Sequence, residues 1–287
     1  MPELPEVETL RRHALAHLVG RRVVDVALLA PEVVRAPAPE AFSADLLGAT
    51  FTDARRRGKY LLLDLTDQRV LALQLALFGQ LLLRPADAAR EPETLLVLAL
   101  ADGETVHLLD RSGYTRVYLV PAADLAGTLK LDELGPEPLS PEFTPDLLAA
   151  RLGGRRARLK GLLLDQHVLA GLGNIYVDEA LWRARLHPGR PANSLSDAEL
   201  RTLHGAIRSV LEEGIADRGT TFHTYRDLLG EKGRHQDALA AFHRQGEPCQ
   251  RCGTPIVRVT LASRDTHLCP HCQPETPAES DAGRSSA

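Results

Sequence analysis

Cys249-Gln250-Arg251-Cys252 and Cys269-Pro270-His271-Cys272 contain all four cysteines of this 287-residue chain. Each Cys-x-x-Cys turn can place two sulfurs on one side of a metal, and the residues between the turns can form the hairpin that brings the pairs together. A pair of disulfides is the alternative, which a reducing cytoplasm disfavours. We therefore expect one structural Zn²⁺, with no open coordination position for catalysis, bound by Cys249, Cys252, Cys269 and Cys272.

Basic residues cluster in three places, although the formal net charge of the chain is −4. The negative total argues mildly against a nucleic-acid partner, because neutralising phosphates requires clustered Lys and Arg. Each cluster is either solvated surface or part of a binding site for an anionic polymer, and the Cys-rich finger could instead bind a protein. Together they favour the polymer; the clusters are Arg55, Arg56, Arg57 and Lys59, then Arg151, Arg155, Arg156, Arg158 and Lys160, and in the finger Arg251, Arg258 and Arg264.

Hydrophobic patterning predicts an α+β protein of two domains. Val7, Leu10 and Ala14 recur at helical spacing, and short runs rich in leucine and β-branched residues follow from residue 23 to residue 120, which favours a β-sandwich. Asp102-Gly103 is a hairpin signal within it. After a linker at residues 135–138 the pattern becomes helical; one helix is capped by Ser196 and Glu199, and another begins with Asn174 as its N-cap.

The predicted boundaries follow from these changes in pattern. We expect an N-terminal catalytic domain at residues 1–133, a helical domain at 134–240, a zinc finger at 241–273 and a disordered tail at 274–287. The tail lacks apolar anchors. Since no apolar stretch approaches the roughly 20 residues of a membrane span, we expect a cytoplasmic protein.

The first six residues, Met1-Pro2-Glu3-Leu4-Pro5-Glu6, contain a candidate nucleophile. Removal of Met1 would expose the secondary amine of Pro2, which can attack an aldehyde-like sugar carbon and form an iminium ion. Glu3 and Glu6 are either ordinary helix caps or acid and base candidates beside this amine. Two further residues carry the same ambiguity: Lys59 is either an exposed strand-end lysine or a proton-transferring group, and Asn174 is either a simple N-cap or part of a phosphate seat.

A set of longer motifs accompanies these residues. They are Pro2-Glu3-Leu4-Pro5-Glu6-Val7-Glu8-Thr9, Arg57-Gly58-Lys59-Tyr60-Leu61-Leu62, Leu134-Gly135-Pro136-Glu137-Pro138-Leu139, Leu164-Asp165-Gln166, Gly173-Asn174-Ile175-Tyr176-Val177-Asp178-Glu179-Ala180-Leu181 and Gly219-Thr220-Thr221. With the four-Cys finger, they resemble the bacterial formamidopyrimidine-DNA glycosylases from residue 2 to about residue 273.

The resemblance implies a fold and an activity. The fold is an N-terminal β-sandwich with flanking helices, followed by a helix–two-turn–helix domain and the zinc finger. The activity is that of a monomeric glycosylase and lyase of base excision repair, which acts on double-stranded DNA. It would remove oxidised purines, namely 8-oxoguanine and formamidopyrimidines, through a Schiff base at Pro2 followed by β,δ-elimination.

The resemblance also implies roles for individual residues. Pro2 attacks C1′ of the damaged nucleotide, Glu3 donates a proton and Glu6 helps to shape the lesion pocket. Lys59 corresponds to the lysine that assists β-elimination, and Arg264 corresponds to the finger arginine of δ-elimination. The implied DNA contacts are Arg156, Lys160, Asn174 and Tyr176.

Two stretches depart from the family pattern. Gln74-Leu75-Ala76-Leu77 stands where the family has His-Leu-x-Met, so that Gln74 replaces a phosphate ligand and Leu77 becomes the apolar plug. Asp110-Arg111-Ser112-Gly113-Tyr114-Thr115 stands where the family has Asp-Pro-Arg-Arg-Phe-Gly. Ser112 then replaces the arginine that reads the opposite cytosine and Tyr114 replaces a stacking phenylalanine, while Arg111 could take over after a one-residue shift. We expect an altered choice of substrate.

Two other functions stay open. An endonuclease VIII-like enzyme for oxidised pyrimidines is disfavoured by Leu4, where those proteins usually carry glycine. A non-catalytic DNA-binding protein is disfavoured because Pro2, Glu3, Glu6 and Lys59 are all present.

Overall fold

The computed structural model describes residues 1–275, which form two compact units. The N-terminal unit consists of residues 1–139, 169–172 and 211–238, and the C-terminal unit consists of residues 140–168, 173–210 and 239 onward. The units are therefore not contiguous in sequence, and the boundaries at residues 133 and 240 stay a prediction. The predicted tail lies outside the described residues from residue 276 onward.

Two sheets form the sandwich of the N-terminal unit. One has four strands in the order β1-β7-β8-β6, and the other has five in the order β2-β9-β5-β4-β3. All neighbours are antiparallel except β2 and β9. The strands are β1 (Val23–Leu28), β2 (Val34–Ala36), β3 (Phe51–Arg57), β4 (Tyr60–Leu65), β5 (Arg69–Gln74), β6 (Gln80–Pro85), β7 (Thr94–Leu100), β8 (Glu104–Leu109) and β9 (Arg116–Pro121).

Alternation along the strands fills two hydrophobic cores. In β4, Leu61 and Leu63 belong to the main core between the two sheets, which also holds Leu98 of β7. Leu62 points to the opposite face, where Leu125 covers the sheet. The β4 run is apolar at consecutive positions because both of its faces are buried. Three whole helices belong to this unit, α1 (Leu4–His17), α2 (Pro39–Leu46) and α3 (Leu125–Leu129), together with residues 211–216 at the end of a longer helix.

The C-terminal unit is helical and ends in a two-stranded hairpin. Its elements are α4 (Pro145–Leu152), α5 (Leu159–Leu164), α6 (Asn174–Ala184), the first part of α7 (Asp197–Ala216), β10 (Val257–Leu261) and β11 (Arg264–Leu268). The capping box of α7 is confirmed, since Ser196 N–H donates to Glu199 Oε2 at 2.9 Å and Glu199 N–H donates to Ser196 Oγ at 3.3 Å. Within residues 1–275, no helix is both long and apolar enough to cross a bilayer.

Candidate active site and zinc finger

The chain begins in a buried, charged environment at the start of α1. Pro2 is buried, and Glu3, which precedes the first helical residue, is only 5% exposed. Burial lowers the pKa of the Met1 terminal amine to about 6; the charges of Glu3, Lys59, Glu6 and Asp110 also act on it, and of these only Lys59 lowers the pKa further. The charges of these four side chains therefore lie close enough to the first residue to act on its amine.

Both carboxylate oxygens of Glu6 accept hydrogen bonds from backbone N–H groups. Oε2 accepts a hydrogen bond from Glu3 N–H at 2.8 Å, and Oε1 accepts one from Thr220 N–H at 2.7 Å. Gly219 has φ +82°, and a Cβ there would lie 2.8 Å from Glu6 Cγ. Tyr225 Oη donates to the carbonyl groups of Glu6 and Arg218 at 3.3 and 3.2 Å. Both oxygens of Glu6 are thus fixed in place, and Tyr225 is a neighbour of Glu6 that sequence reasoning missed.

Lys59 lies in the turn between β3 and β4 and is half-buried. The preceding residue, Gly58, has φ +55° and donates its N–H to Glu137 Oε1 at 2.6 Å. The predicted linker therefore packs against the turn that carries Lys59.

The structure corrects the expectation that the arginines of the first basic cluster are available to bind an anionic polymer. Arg55 donates to both oxygens of Asp64 at 2.6 and 2.5 Å, and Arg56 and Arg57 reach Glu137 at 2.7 and 3.2 Å. Carboxylates therefore neutralise these three arginines. In the second cluster, by contrast, Arg151, Arg155, Arg156 and Arg158 are exposed.

One carboxylate organises the loop that departs from the family pattern. Buried Asp110 accepts hydrogen bonds from Ser112 N–H at 2.8 Å, Ser112 Oγ at 2.6 Å, Tyr114 N–H at 3.1 Å and Thr115 N–H at 3.0 Å. Burial opposes ionisation of Asp110, but the bonds from Ser112 and Thr115 lower its pKa. The Ser112 hydroxyl is thereby turned into the loop.

The loop held by Asp110 and the neighbouring residue Leu77 carry apolar side chains and one cationic side chain. Tyr114 is 77% exposed and Leu77 is 53% exposed. Arg111 lies 3.9 Å above the ring of Phe78, a residue that sequence reasoning did not single out. Gln74 is half-buried and is the last residue of β5.

Lys160 and Tyr176 were expected to contact DNA, and the structure contradicts both expectations. Each is fully buried. Lys160 Nζ donates to Asp178 Oδ1 at 2.6 Å and to the carbonyl of Asp265 at 3.0 Å. A buried ammonium requires such partners, so Lys160 supports the finger hairpin from within the C-terminal unit. Tyr176 is a core residue of the same unit.

Asn174 begins α6, but the N-cap is Gly173. The Asn174 amide donates Nδ2–H to the carbonyl of Asp265 at 2.8 Å. The prediction of a helix start was right, whereas the prediction of an Asn174 cap was wrong. Arg264, which precedes Asp265 at the start of β11, is exposed.

The four cysteine sulfurs fit a zinc ion. All lie within 4.8 Å of one another, with distances of 3.5 Å for Cys252–Cys269 and for Cys252–Cys272 and of 4.0 Å for Cys249–Cys272. A tetrahedron with Zn–S bonds of about 2.3 Å has edges of about 3.8 Å. The cysteines are free, and their sulfurs are too far apart for a bond of about 2.05 Å, so the disulfide alternative is wrong.

Arg251 lies between the first two cysteines but does not face a phosphate. Its guanidinium stacks 3.8 Å above the ring of Trp182 and donates to the carbonyls of Trp182 and Arg183 at 2.6 and 3.0 Å. Because these carbonyls belong to the last turn of α6, Arg251 fixes the finger to that helix. Arg258 pairs with Asp265 at 3.2 Å.

Three family models match successive parts of the chain. They describe the formamidopyrimidine-DNA glycosylase N-terminal domain (residues 1–117), the formamidopyrimidine-DNA glycosylase H2TH domain (residues 134–226) and a zinc finger found in FPG and IleRS (residues 246–274). Relatives named formamidopyrimidine-DNA glycosylase include that of Symbiobacterium thermophilum, 48% identical over 96% of this chain and 90% of its own length. That of Geobacillus kaustophilus is 45% identical over 95% and 100%.

Solved structures show the same likeness. The Lactococcus lactis Fpg in complex with DNA containing an abasic site superimposes with a TM-score of 0.90 at 34% identity, covering 95% of this chain and 100% of that one. Its complex with DNA containing N7-benzyl-Fapy-dG gives a TM-score of 0.89 at 34% identity, covering 96% and 100%.

The β-sandwich, the helix–two-turn–helix (H2TH) domain and the four-Cys finger together define a DNA glycosylase of base excision repair. The chain belongs to the formamidopyrimidine-DNA glycosylase family, whose members combine glycosylase and lyase activity. Its finger holds a structural Zn²⁺ through the four cysteines.

Proposed function

We propose that this glycosylase excises oxidised purines, namely 8-oxoguanine and formamidopyrimidines, with Pro2 as the nucleophile. The observation that carries the proposal is the burial of Pro2 and Glu3 at the start of α1, where burial lowers the pKa of the neighbouring Met1 amine to about 6 and the charge of Lys59 lowers it further. The same surroundings act on the Pro2 amine once Met1 is removed. The bound Fapy-dG analogue of the Lactococcus relative supports the substrate class.

The proposed reaction begins at the sugar. The Pro2 nitrogen bonds to C1′ while the bond from C1′ to the base breaks, and the base leaves with the bonding electrons and takes up a proton. The Pro2 nitrogen then gives up its N–H proton, Glu3 donates a proton to the ring oxygen, and the bond from C1′ to that oxygen breaks, which opens the sugar and leaves an iminium ion. Loss of a C2′ proton then expels the 3′-phosphate with help from Lys59, and a second elimination expels the 5′-phosphate with help from Arg264.

DNA is gripped through its phosphates and opened at the lesion. Arg156 and Asn174 are the proposed phosphate contacts. Leu77 and Tyr114 fill the gap left by the extruded nucleotide. We further propose that the protein acts as a monomer in the cytoplasm, where the bacterial chromosome lies.

The opposite-base preference follows from the loop held by Asp110. Because the Ser112 hydroxyl bonds to Asp110, it cannot replace a bidentate arginine contact, which is worth about 1–3 kcal/mol of base discrimination. We propose that Arg111, stacked on Phe78, faces the opposite strand and that the preference for cytosine is weaker than in the family pattern.

Borohydride trapping tests the nucleophile and the lesion together. Duplexes with 8-oxoguanine, a formamidopyrimidine or an oxidised pyrimidine, each opposite all four bases, are mixed with the protein, and the reduced adduct is located by peptide mass spectrometry. The adduct is expected on the Pro2 nitrogen with the purine lesions, with rates that differ little among the opposite bases.

Two variants frame this test. Pro2→Gly loses the ring that fixes the amine and should trap at least about 10-fold more slowly, whereas Pro31→Gly, at an exposed proline, should trap like the native chain. An adduct on another residue, or none with Met1 removed, would refute the mechanism. Faster trapping with oxidised pyrimidines than with the purine lesions would instead favour the endonuclease VIII-like alternative.

A further inference from the structure

Glu137 contacts the turn that carries Lys59 through both of its carboxylate oxygens. Oε1 accepts the Gly58 N–H at 2.6 Å and Arg57 Nη1 at 3.2 Å, and Oε2 accepts Arg56 Nη1 at 2.7 Å. The Glu137 and Arg56 side chains are only 20% and 10% exposed, so water screens these contacts weakly.

The same network reaches α1, the helix at whose start Pro2 and Glu3 lie. Arg56 Nε donates to Glu8 Oε2 at 3.3 Å, and Glu8 lies in the second turn of α1. Glu8 also accepts from Arg11 and Arg12, at 2.8 and 3.0 Å. A continuous path of charged hydrogen bonds therefore runs from α1 through Arg56 and Glu137 to the residue before Lys59.

The turn is also seated sterically. Gly58 has φ +55°, and its Cβ position lies 3.5 Å from Ala170 and from Leu134, in ordinary van der Waals contact. The turn thus has a defined place on the surface of its unit, and Glu137 supplies the hydrogen bonds that keep it there.

We infer that Glu137 is a positioning residue that holds the Lys59 ammonium at a fixed place beside the attacking amine. The inference rests on the proposed role of Lys59 in strand cleavage. Removing the carboxylate leaves the Gly58 N–H and two arginines without their acceptor, so the turn shifts. A misplacement of about 1 Å can slow a reaction up to about 100-fold.

A double-mutant cycle tests this coupling. Glu137→Ala, Lys59→Ala and the double variant are compared with the native chain for the single-turnover rate of strand cleavage at an abasic site. Affinity for a non-cleavable abasic analogue and the melting temperature are measured alongside. Glu133→Ala is the matched control, because Glu133 is half exposed and pairs with the exposed Lys130 at 3.2 Å.

Coupling through Lys59 has a distinct signature. Glu137→Ala should slow cleavage at least about 10-fold in the native background and less than about 2-fold in the Lys59→Ala background, with little change in DNA affinity. Equal slowing in both backgrounds, or none in the native one, would overturn the inference. If Glu137→Ala unfolds, the cycle uses Glu137→Gln, which keeps an acceptor oxygen for Gly58 but removes the charge that pairs with Arg56 and Arg57. This variant should slow cleavage less than the loss of the whole carboxylate would, and only in the background that retains Lys59; equal slowing in both backgrounds, or none in the native one, would overturn the inference. Unchanged cleavage by Lys59→Ala alone would refute the proposed role of Lys59 and, with it, the inference.

Discussion

At the scale of single residues, the environment of the chain start sets the pH at which attack on the sugar can occur. An amine attacks only when neutral, and burial lowers the pKa of the terminal amine to about 6. If the same surroundings lower the pKa of the Pro2 amine after Met1 is removed, the proposed nucleophile is neutral at a lower pH than an exposed α-amino group would be. An unburied α-amino group would be mostly protonated at pH 7.

The trapping rate should therefore fall as the pH drops, with an acid limb at lower pH than an exposed α-amino group would give. Because the charge of Lys59 contributes to the lowered pKa, Lys59→Met should move this acid limb to higher pH. The matched variant Lys232→Met removes an exposed lysine and should leave the limb in place. A pH profile of single-turnover trapping measures both, and an identical limb in all three proteins would show that Lys59 is not close to the amine.

Gly219→Ala should impair catalysis by displacing Glu6. A Cβ at this position would lie 2.8 Å from Glu6 Cγ, whereas Gly20, with a similar φ of +87°, has open space around its Cβ position. Both substitutions should cost about 1–2 kcal/mol of stability from the left-handed backbone, measured by urea unfolding. Only Gly219→Ala should also slow trapping. Equal activity of the two variants would show that catalysis does not depend on the position in which Gly219 and Thr220 hold Glu6.

At the scale of elements, caps and hairpins were the most predictable features. The capping box of α7, the hairpin at Asp102-Gly103 and the alternation within β4 and β5 all follow from local rules, because each depends on residues a few positions apart. Burial of Lys160 and Tyr176 could not be predicted in this way. The partner of Lys160, Asp178, lies 18 residues away, and only the packing of α5 and α6 brings the two together.

The cap of α7 should also give a measurable acid sensitivity. The hydrogen bond from Arg190 lowers the pKa of Glu199 to about 2, so its contribution to stability is present above the unfolded value near 4.5 and is lost as pH falls towards 2. Glu199→Gln should therefore destabilise the protein at pH 7 and progressively less from pH 5 to pH 3 in urea unfolding. Glu40→Gln, in the exposed first turn of α2, should show no such trend.

At the scale of the whole molecule, zinc should stabilise one unit and not the other. All four cysteines lie in the C-terminal unit, where Cys249 and Cys269 pack with Trp182 and Ile256. The sheets of the N-terminal unit contain none of them. We expect about one zinc per chain, since four thiolates satisfy a tetrahedral ion.

Chelation should accordingly abolish DNA binding while most of the β-sheet circular dichroism persists, and added zinc should restore binding. Cys272→Ala should reproduce the chelated state without chelator. Full DNA affinity after complete metal removal would show that the finger does not depend on its ion.

The motifs predicted the family, and they predicted that Glu3, Glu6 and Lys59 lie around the chain start. Glu3 and Glu6 are only a few positions from the first residue, and the motif that contains Lys59 is shared with relatives. They did not predict that Arg55, Arg56 and Arg57 are neutralised, since one partner, Glu137, lies about 80 residues further along the chain. Nor did they predict that residues 211–238 belong with the sandwich.

Because residues 211–238 belong to the N-terminal unit, they affect when during synthesis the chain could first cut DNA. Thr220, which binds one oxygen of Glu6, is made long after the sandwich has left the ribosome. A nascent or truncated chain that stops before Thr220 would contain Pro2, the proposed nucleophile, but would lack the backbone N–H that binds Glu6 Oε1. The N-terminal unit is assembled from three segments that are far apart in sequence. We therefore expect the chain to become able to cut a DNA strand only when its synthesis is nearly complete.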